Sequence, residues 1–179
     1  RRGSVEAKNT VSDNSEIEQQ NQRSIYATPL YAEFMDTKYN IIDAPGADDF
    51  IGGAVAAFKV CDMGILLINA GQGVEVGTEI HECHARAYKV PLILGINQLD
   101  SEKANWEGTL EQLKEAFGSK PVIVQYPVNV GPGFDGFVDV LTMKYYRFKG
   151  EDGVREGPVL IKRPLLELVH DVFARAVLA

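Results

Sequence analysis

An asparagine and an aspartate three residues apart follow an apolar run that has the composition of a buried parallel strand. The run is residues 91–96 (PLILGI), and the polar segment after it is Asn97-Gln98-Leu99-Asp100. Open α/β sheets bind ligands at the carboxyl ends of their strands. A carboxylate there can accept both N1–H and the exocyclic N2–H of guanine. The segment therefore indicates guanine recognition, although strand-end Asn and Asp are more often turn or cap residues.

A second polar segment, Asp43-Ala44-Pro45-Gly46, follows an earlier alternating run at residues 38–42 (KYNII). An Asp at a strand tip can hold a water bound to Mg²⁺. The Gly lets a backbone N–H approach a terminal phosphate with no Cβ in the way. A plain strand-to-helix turn uses the same residue types. The order of the two segments, separated by a strand-helix-strand-helix-strand pattern, favours nucleotide binding over that simpler interpretation.

Together the two segments resemble the translational GTPases, and the elongation factor G type in particular. Residues 43–46 are similar to that family's Asp-x-Pro-Gly element, and residues 97–100 to its Asn-Lys-x-Asp element. Residues 73–79 (GVEVGTE) resemble the stretch between those elements, and residues 10–13 (TVSD) the first switch region. Residues 121–128 (PVIVQYPV) resemble the entry into the insert of the elongation factor G GTPase domain. The resemblance covers roughly residues 1–149.

The resemblance implies the GTP- and GDP-binding domain of a cytoplasmic protein that works with the ribosome, in translocation or in ribosome recycling. It implies Mg²⁺ as cofactor, held through a water by Asp43, with Tyr26 at the position of the family's metal-ligating Thr. The positions implied to bind the nucleotide are Asp43, Ala44, Pro45, Gly46, Ala47, Asn97, Gln98, Leu99 and Asp100.

Three of these positions depart from the family's pattern. Ala47 replaces the His that orients the attacking water, and loss of such a group costs on the order of 10²–10⁴ in rate. At Tyr26, a phenol cannot reach the metal position of the shorter Thr hydroxyl. Gln98 keeps the stem of the family's Lys and loses its charge, which predicts weaker binding. Two functions remain open: a GTPase, or a degenerate nucleotide-dependent binding module that does not hydrolyse GTP efficiently.

The phosphate-binding Gly-x-x-x-x-Gly-Lys-[Ser/Thr] motif does not occur in the 179 residues. The nearest match, residues 53–60 (GAVAAFKV), has Phe at the second Gly and is predicted to be the interior of a helix. The family's phosphate loop precedes its first switch region. The resemblance therefore places that loop before Arg1 and predicts a chain truncated at its start.

Composition argues against several other classes of function. The net charge of −7 disfavours nucleic-acid binding by this chain, because phosphate affinity comes from Lys and Arg clusters. No apolar run approaches the ~20 residues of a membrane span, and no secretory signal opens the chain. Cys61 and Cys83 are predicted to be buried, reduced thiols of a cytosolic protein. His81 and His84, one helical turn apart, do not fill a tetrahedral metal site.

Periodicity predicts an α/β fold, a P-loop-NTPase-like three-layer sandwich whose mostly parallel sheet carries an antiparallel edge hairpin. The predicted strands are residues 24–34, 38–43, 64–70, 91–97 and 121–125, and the predicted helices are residues 50–61, 77–88 and 102–117. Residues 127–136 are predicted to be a loop and residues 149–158 a polar linker. The domain organisation follows: a nucleotide-binding core at 1–126 with a mobile, switch-like start at 1–23, an insert and linker at 127–163, and a C-terminal packing helix at 164–179.

Overall fold

The computed structural model describes residues 10–12, 15–118, 120–149 and 154–159. These residues divide into two compact units. The first takes its described residues from Arg1–Leu66 and Val76–Ile93, and the second from Leu67–Glu75 and Leu94–Ala179. The predicted C-terminal helix at 164–179 lies outside the described residues.

The elements run in the order expected of an α/β protein as far as the fourth helix, after which the described residues form strands alone. The helices are α1 (Glu16–Asn21), α2 (Ile51–Phe58, preceded by a 3₁₀ turn at Asp48–Phe50), α3 (Val76–Ala87) and α4 (Trp106–Phe117). The strands are β1 (Thr28–Phe34), β2 (Thr37–Asp43), β3 (Gly64–Asn69), β4 (Leu92–Asn97), β5 (Gln125–Val128), β6 (Gly136–Asp139), β7 (Lys144–Lys149) and β8 (Val154–Val159).

Parallel and antiparallel pairings both occur. β1 and β2 form an antiparallel hairpin in which Thr28 lies opposite Asp43, and its turn places Met35 and Asp36 at φ 48° and 56°. Two consecutive positive φ values are the mark of a type I′ turn, which matches the twist of the flanking strands. β3 pairs with β4. The N–H of Gly64 donates to Pro91 O and that of Ala70 to Asn97 O, both at 2.9 Å, so the two strands run parallel. β5, β6, β7 and β8 form an antiparallel sheet in that order.

The core of the second unit forms around Trp106, Tyr126, Val138 and Val140, and the partly buried Leu99 packs against it. The rings of Trp106 and Tyr126 meet edge to face with centroids 5.7 Å apart. The Tyr126 hydroxyl donates to Glu107 Oε1 at 2.9 Å. Burial, followed by this bond to a carboxylate, raises the pKa of Tyr126 to about 12. The phenol thus stays protonated and keeps β5 attached to the start of α4.

The α/β class and most of the predicted elements are confirmed. The helix predicted at 102–117 is wrong in its start, because α4 begins at Trp106. The side chain of Asn105 accepts the N–H of Gly108 at 3.0 Å and its own N–H donates to Ala70 O at 2.8 Å. Asn105 is therefore the N-cap of α4, and its backbone N–H bonds to a residue outside the helix. The helix begins at the next residue, so residues 102–105 are not part of it.

The largest corrections concern the antiparallel sheet of β5, β6, β7 and β8. The strand predicted at 121–125 is wrong: the strand is β5, and Val122 and Val124 are 68% and 45% exposed. The predicted loop at 127–136 is wrong at both ends, which belong to β5 and β6. At Gly136 a Cβ would collide with the carbonyl oxygen of Tyr146, so this glycine marks a close strand approach rather than a turn. The predicted linker at 149–158 is wrong because residues 154–159 form β8, paired with β7.

One further prediction needs correction. Both cysteines are free, as predicted, but they are not buried: Cys61 is only half-buried and Cys83 is exposed. Within the start at 1–23, whose mobility stays a prediction, Glu16–Asn21 form α1, which is capped by Ser15. The buried positions of α3 are Thr78, His81 and Ala85, and Cys83 lies off that stripe. Within the described residues, no group of three or more His, Cys, Asp or Glu side chains could hold a metal ion, and no helix is long and apolar enough to cross a membrane.

Candidate nucleotide site

The first group of predicted site residues forms the loop after β2, in the first unit. Asp43 is the last residue of the strand and is half-buried, and Pro45 is fully buried. Ala47 has an extended backbone (φ −80°, ψ 138°), and its carbonyl oxygen accepts the N–H of Phe50 at 2.9 Å. The loop thus leaves the strand tip in extended form and enters the 3₁₀ turn at once.

Two glycines let helices approach this loop closely. A Cβ placed on Gly53 in α2 would lie 3.3 Å from Cδ of Pro45. A Cβ on Gly77 in α3 would lie 3.0 Å from Oδ1 of Asp48 and 3.7 Å from the carbonyl oxygen of Gly46. The contacts with Pro45 and Asp48 are tighter than a side chain normally tolerates, so the loop position depends on these two glycines.

Gly46 differs from them, because it is exposed and nothing lies within 4 Å of where its Cβ would be. Its φ is outside the left-handed region, so its backbone conformation does not require glycine. The absence of a Cβ leaves the backbone N–H open to an approaching anion.

Residues 53–60, the nearest match to a phosphate loop, begin inside α2, as predicted.

Tyr26 lies in the turn before β1, with its side chain 59% exposed and its backbone held from α1. Oε1 of Glu18 accepts the N–H groups of Ile25 and Tyr26 at 2.9 and 3.0 Å. Oε2 of the same carboxylate accepts the hydroxyl and the N–H of Ser15 at 2.9 and 3.2 Å. Glu18 is only 2% exposed. The bond from Ile25 is the largest cause that lowers its pKa, to about 2, against the opposing effect of burial.

Glu18 was missed at the sequence level, although the signal was present. Ser15 and Glu18 fit the Ser-x-x-Glu pattern of a capping box, and both reciprocal bonds of that motif are formed. The pattern predicts a helix start in a segment whose composition alone suggested mobility.

The second group, residues 97–100, forms the turn after β4 in the second unit. The N–H of Ala70 donates to the carbonyl oxygen of Asn97 at 2.9 Å, and that of Gly131 to Leu99 at 2.8 Å. The side chain of Leu99 also packs against the core around Trp106. The backbone of this turn is therefore held by a neighbouring strand end, a distant loop and the core.

Gln98 sits at the centre of the turn in the left-handed region, with φ 59°. Its N–H donates to Oδ1 of Asn97 at 2.9 Å, and its carbonyl oxygen accepts the N–H of Ser101 at 3.1 Å. The Asn97 side-chain oxygen thus serves the turn itself. Asp100 is exposed, and its carboxylate has no hydrogen-bond or ion-pair partner within the described part of the chain. Both oxygens are open to a ligand with paired donors.

Asn69, the last residue of β3, is a site neighbour that the sequence analysis did not identify. Its Nδ2 donates to Oε1 of Gln98 at 2.7 Å, and its Oδ1 accepts the N–H of Gly71 at 2.8 Å. Parallel neighbouring strands end at the same edge of a sheet, so a polar residue at the end of β3 was the available signal.

Comparison with known proteins identifies the family of this chain. The family model described as elongation factor Tu GTP binding domain matches residues 1–174 of this chain. An elongation factor G-like protein of Thermotoga maritima is 35% identical over 139 residues, which are 78% of this chain and 20% of the relative. Elongation factor G of Mycoplasma genitalium is 31% identical over 147 residues, 80% of this chain and 21% of the relative. A crystal structure of a Thermus thermophilus protein matches 98% of this chain and 26% of its own, with a TM-score of 0.88 and 25% identity.

The mixed α/β fold, with polar loops at the carboxyl ends of β2 and β4, is that of a P-loop GTPase domain. The chain belongs to the elongation factor Tu GTP binding domain family, in the form found in elongation factor G-like proteins. It spans between 20% and 27% of the length of the curated relatives it matches.

Proposed function

We propose that this domain binds GTP and GDP in an elongation factor G-like protein of the cytoplasm that acts on the ribosome, in translocation or in recycling. The observation that carries the proposal is the Asp100 carboxylate, exposed and without a partner in the described part of the chain, at the end of a turn whose backbone is held from three sides. A rigid turn presents an acceptor pair at little entropic cost, which favours recognition of the paired N–H donors of guanine.

Mg²⁺ is the expected cofactor, and of the two positions that the resemblance assigns to it, Asp43 fits and Tyr26 does not. The Asp43 carboxylate is half-buried at a strand tip and has no hydrogen-bond partner within the described residues, so its hard oxygens suit a water of the Mg²⁺ shell. The Tyr26 side chain is 59% exposed, and its phenol does not take the place of a short hydroxyl ligand. Bound Mg²⁺ would neutralise phosphate charge, and Asp43 would hold and orient its water.

A second function is supported by Ala47, which follows the open backbone of Gly46. Its methyl group can neither accept a proton from a water nor orient one. We therefore propose, as the alternative, a nucleotide-dependent binding module in which GTP occupancy favours ribosome engagement while hydrolysis is inefficient. GTP turnover by the full-length gene product, measured with and without ribosomes, separates the two functions.

Guanine binding is tested on the full-length gene product by calorimetry with GDP and with ADP. Asp100→Ala should weaken GDP binding by about 30- to 1,000-fold, the equivalent of about 2–4 kcal/mol for two bonds to a charged acceptor. Asp62→Ala also removes an exposed carboxylate, one that lies in the first unit, and should leave the GDP Kd unchanged. Equal affinity for GDP and ADP in the wild type would contradict the proposal.

A further inference from the structure

We propose that Asn69 is a positioning residue for the nucleotide, which it affects through Gln98. It orients the carboxamide of Gln98 so that the NH₂ group, and not the oxygen, is presented to an acceptor oxygen of the bound nucleoside. The inference rests on the proposed guanine-nucleotide binding. It assigns one of two possible orientations to the Gln98 carboxamide, which could otherwise present either its NH₂ group or its oxygen.

The orientation of Asn69 follows from a backbone donor. The N–H of Gly71 lies 2.8 Å from Oδ1 of Asn69, and an N–H can only donate. Gly71 lies close to Lys103, because a Cβ there would lie 3.1 Å from Cβ of Lys103 and 3.2 Å from its carbonyl oxygen. The oxygen end of the Asn69 amide is therefore directed at Gly71, and its NH₂ end is left for another partner.

That partner is Gln98, whose Oε1 accepts from Nδ2 of Asn69 at 2.7 Å. The backbone of Gln98 is already fixed by its bonds with Asn97 and Ser101. The one remaining choice, which end of the carboxamide faces outward, is made by Asn69. Nε2 of Gln98 has no hydrogen-bond partner within the described part of the chain. Gln98 thus offers the site a neutral, donor-only group.

The decisive variant is Asn69→Asp in the full-length gene product. A carboxylate at this position still accepts the N–H of Gly71 but cannot donate to Oε1 of Gln98, so it would bind the NH₂ end instead and turn the Gln98 oxygen outward. We expect the Kd values for GDP and GTP to rise equally, by about three- to tenfold, which is the range of one ordinary hydrogen bond. Equal loss for both nucleotides is expected because the contact is to the nucleoside and not to the γ-phosphate.

The same change in a Gln98→Lys background separates positioning from a structural role. A Lys side chain has no acceptor and one charge, so Asn69→Asp should leave its nucleotide affinity unchanged or increase it through ion pairing. Asn40→Asp is the matched control, since it makes the same chemical change at an exposed position of β2 and should not alter either Kd. Thermal unfolding of each variant monitors the fold.

The outcomes distinguish this inference from the proposed function. A loss of equal size in the Gln98 and Gln98→Lys backgrounds, or no loss in the wild-type background, would overturn the positioning role of Asn69. Guanine-nucleotide binding that depends on Asp100 but not on Asn69 would overturn this inference alone. A wild-type protein that binds no guanine nucleotide would overturn both.

Discussion

Glu18 accepts the backbone N–H of Tyr26 at 3.0 Å, and this bond ties α1 to the turn that precedes β1. The same carboxylate, only 2% exposed, also holds Ile25 and Ser15. We propose that this turn belongs to the first switch region, because Tyr26 aligns with the family's metal-ligating Thr. Rearrangement of that region with the γ-phosphate is how GTPases signal their nucleotide state. In this chain, any such rearrangement must first break a set of charge-assisted bonds to a buried group.

Glu18→Gln should lower the free energy of unfolding by about 1–3 kcal/mol, the cost of leaving buried donors without a matching acceptor. A glutamine offers one oxygen, and its NH₂ group would face N–H donors that a carboxylate accepts. Glu16→Gln, an exposed change in the first turn of the same helix, is the matched control and should stay within about 0.5 kcal/mol. Urea unfolding of the wild type and the two variants measures both values. Equal effects of the two substitutions would contradict a stabilising role for the hydrogen bonds to Glu18.

The pH dependence of stability should carry the signature of Glu18. Its pKa is lowered from 4.5 to about 2 in the folded state. A depressed folded-state pKa contributes stability that is fully present above the unfolded value of 4.5 and is lost as the pH falls toward 2. The difference in unfolding free energy between wild type and Glu18→Gln should therefore be constant near neutrality and shrink toward zero across that acidic window. A difference that stays constant down to the lowest pH at which the fold persists would show that the carboxylate is not the cause.

A second stability prediction compares two neighbouring glycines of α2. Nothing lies within 4 Å of a Cβ on Gly52, whereas a Cβ on Gly53 would lie 3.3 Å from Cδ of the buried Pro45. Gly52→Ala should therefore stabilise the fold by about 0.5–1 kcal/mol through helix propensity. Gly53→Ala should lose that gain to overpacking and be destabilising by about 1–3 kcal/mol relative to Gly52→Ala. Thermal unfolding measures both effects. Equal stabilisation by the two changes would show that the loop after β2 shifts to accommodate the added methyl group and would contradict the prediction.

The loop after β2 and the turn after β4 could be predicted from the sequence because their signals are local. At Asp43 and again at Asn97, turn residues follow an apolar run. That pattern predicts both the strand and the position of its end from a few neighbouring residues. The bond between Asn69 and Gln98 could not be predicted in the same way. It depends on the register of β3 against β4, and nothing in either strand alone sets which residues lie side by side.

In the antiparallel sheet of the second unit, local sequence signals pointed to the wrong residues. Val138 is completely buried, although it stands in a short strand after a segment rich in glycine and proline. Val138 pairs with Tyr126 on one side and Tyr145 on the other, and both partners lie in other strands, so its burial cannot be read from its own strand. The apolar run at residues 121–124 looked more strand-like, yet two of its valines are exposed. Apolar composition indicates a strand only where partner strands are available to cover it.

Asp100 should determine the preference for guanine over xanthine nucleotides. In Asp100→Asn one acceptor oxygen is replaced by a donor NH₂, which can pair with the extra carbonyl of xanthine but clashes with a guanine N–H. We expect the GTP-over-XTP preference of the full-length gene product to fall or reverse, with GTP binding weakened by about 2–4 kcal/mol. Competition binding with the two nucleotides measures the ratio. If it is unchanged, residues 97–100 do not recognise the base.

Ala47 should limit the hydrolytic rate more than Gln98 does. Ala47 follows Gly46, where nothing lies within 4 Å of the position that a Cβ would take. We therefore expect the Ala47 side chain to face the phosphate end of the proposed nucleotide site. Ala47→His in the full-length gene product should raise the ribosome-stimulated kcat by about 10²-fold or more, within the range of positioned acid–base groups. Gln98→Lys acts on the bound ground state and should mainly lower KM.

Steady-state GTP turnover with saturating ribosomes separates the two effects, and Gly52→Ala, a change in α2 with open space around it, controls for general effects of substitution. An unchanged kcat in Ala47→His, with GTP and ribosome binding intact, would mean that Ala47 alone does not limit the reaction. Tyr26 would then be the remaining difference at the metal position. In that case only Ala47→His combined with Tyr26→Thr should restore turnover, because a positioned water reacts slowly when the metal lacks its hydroxyl ligand.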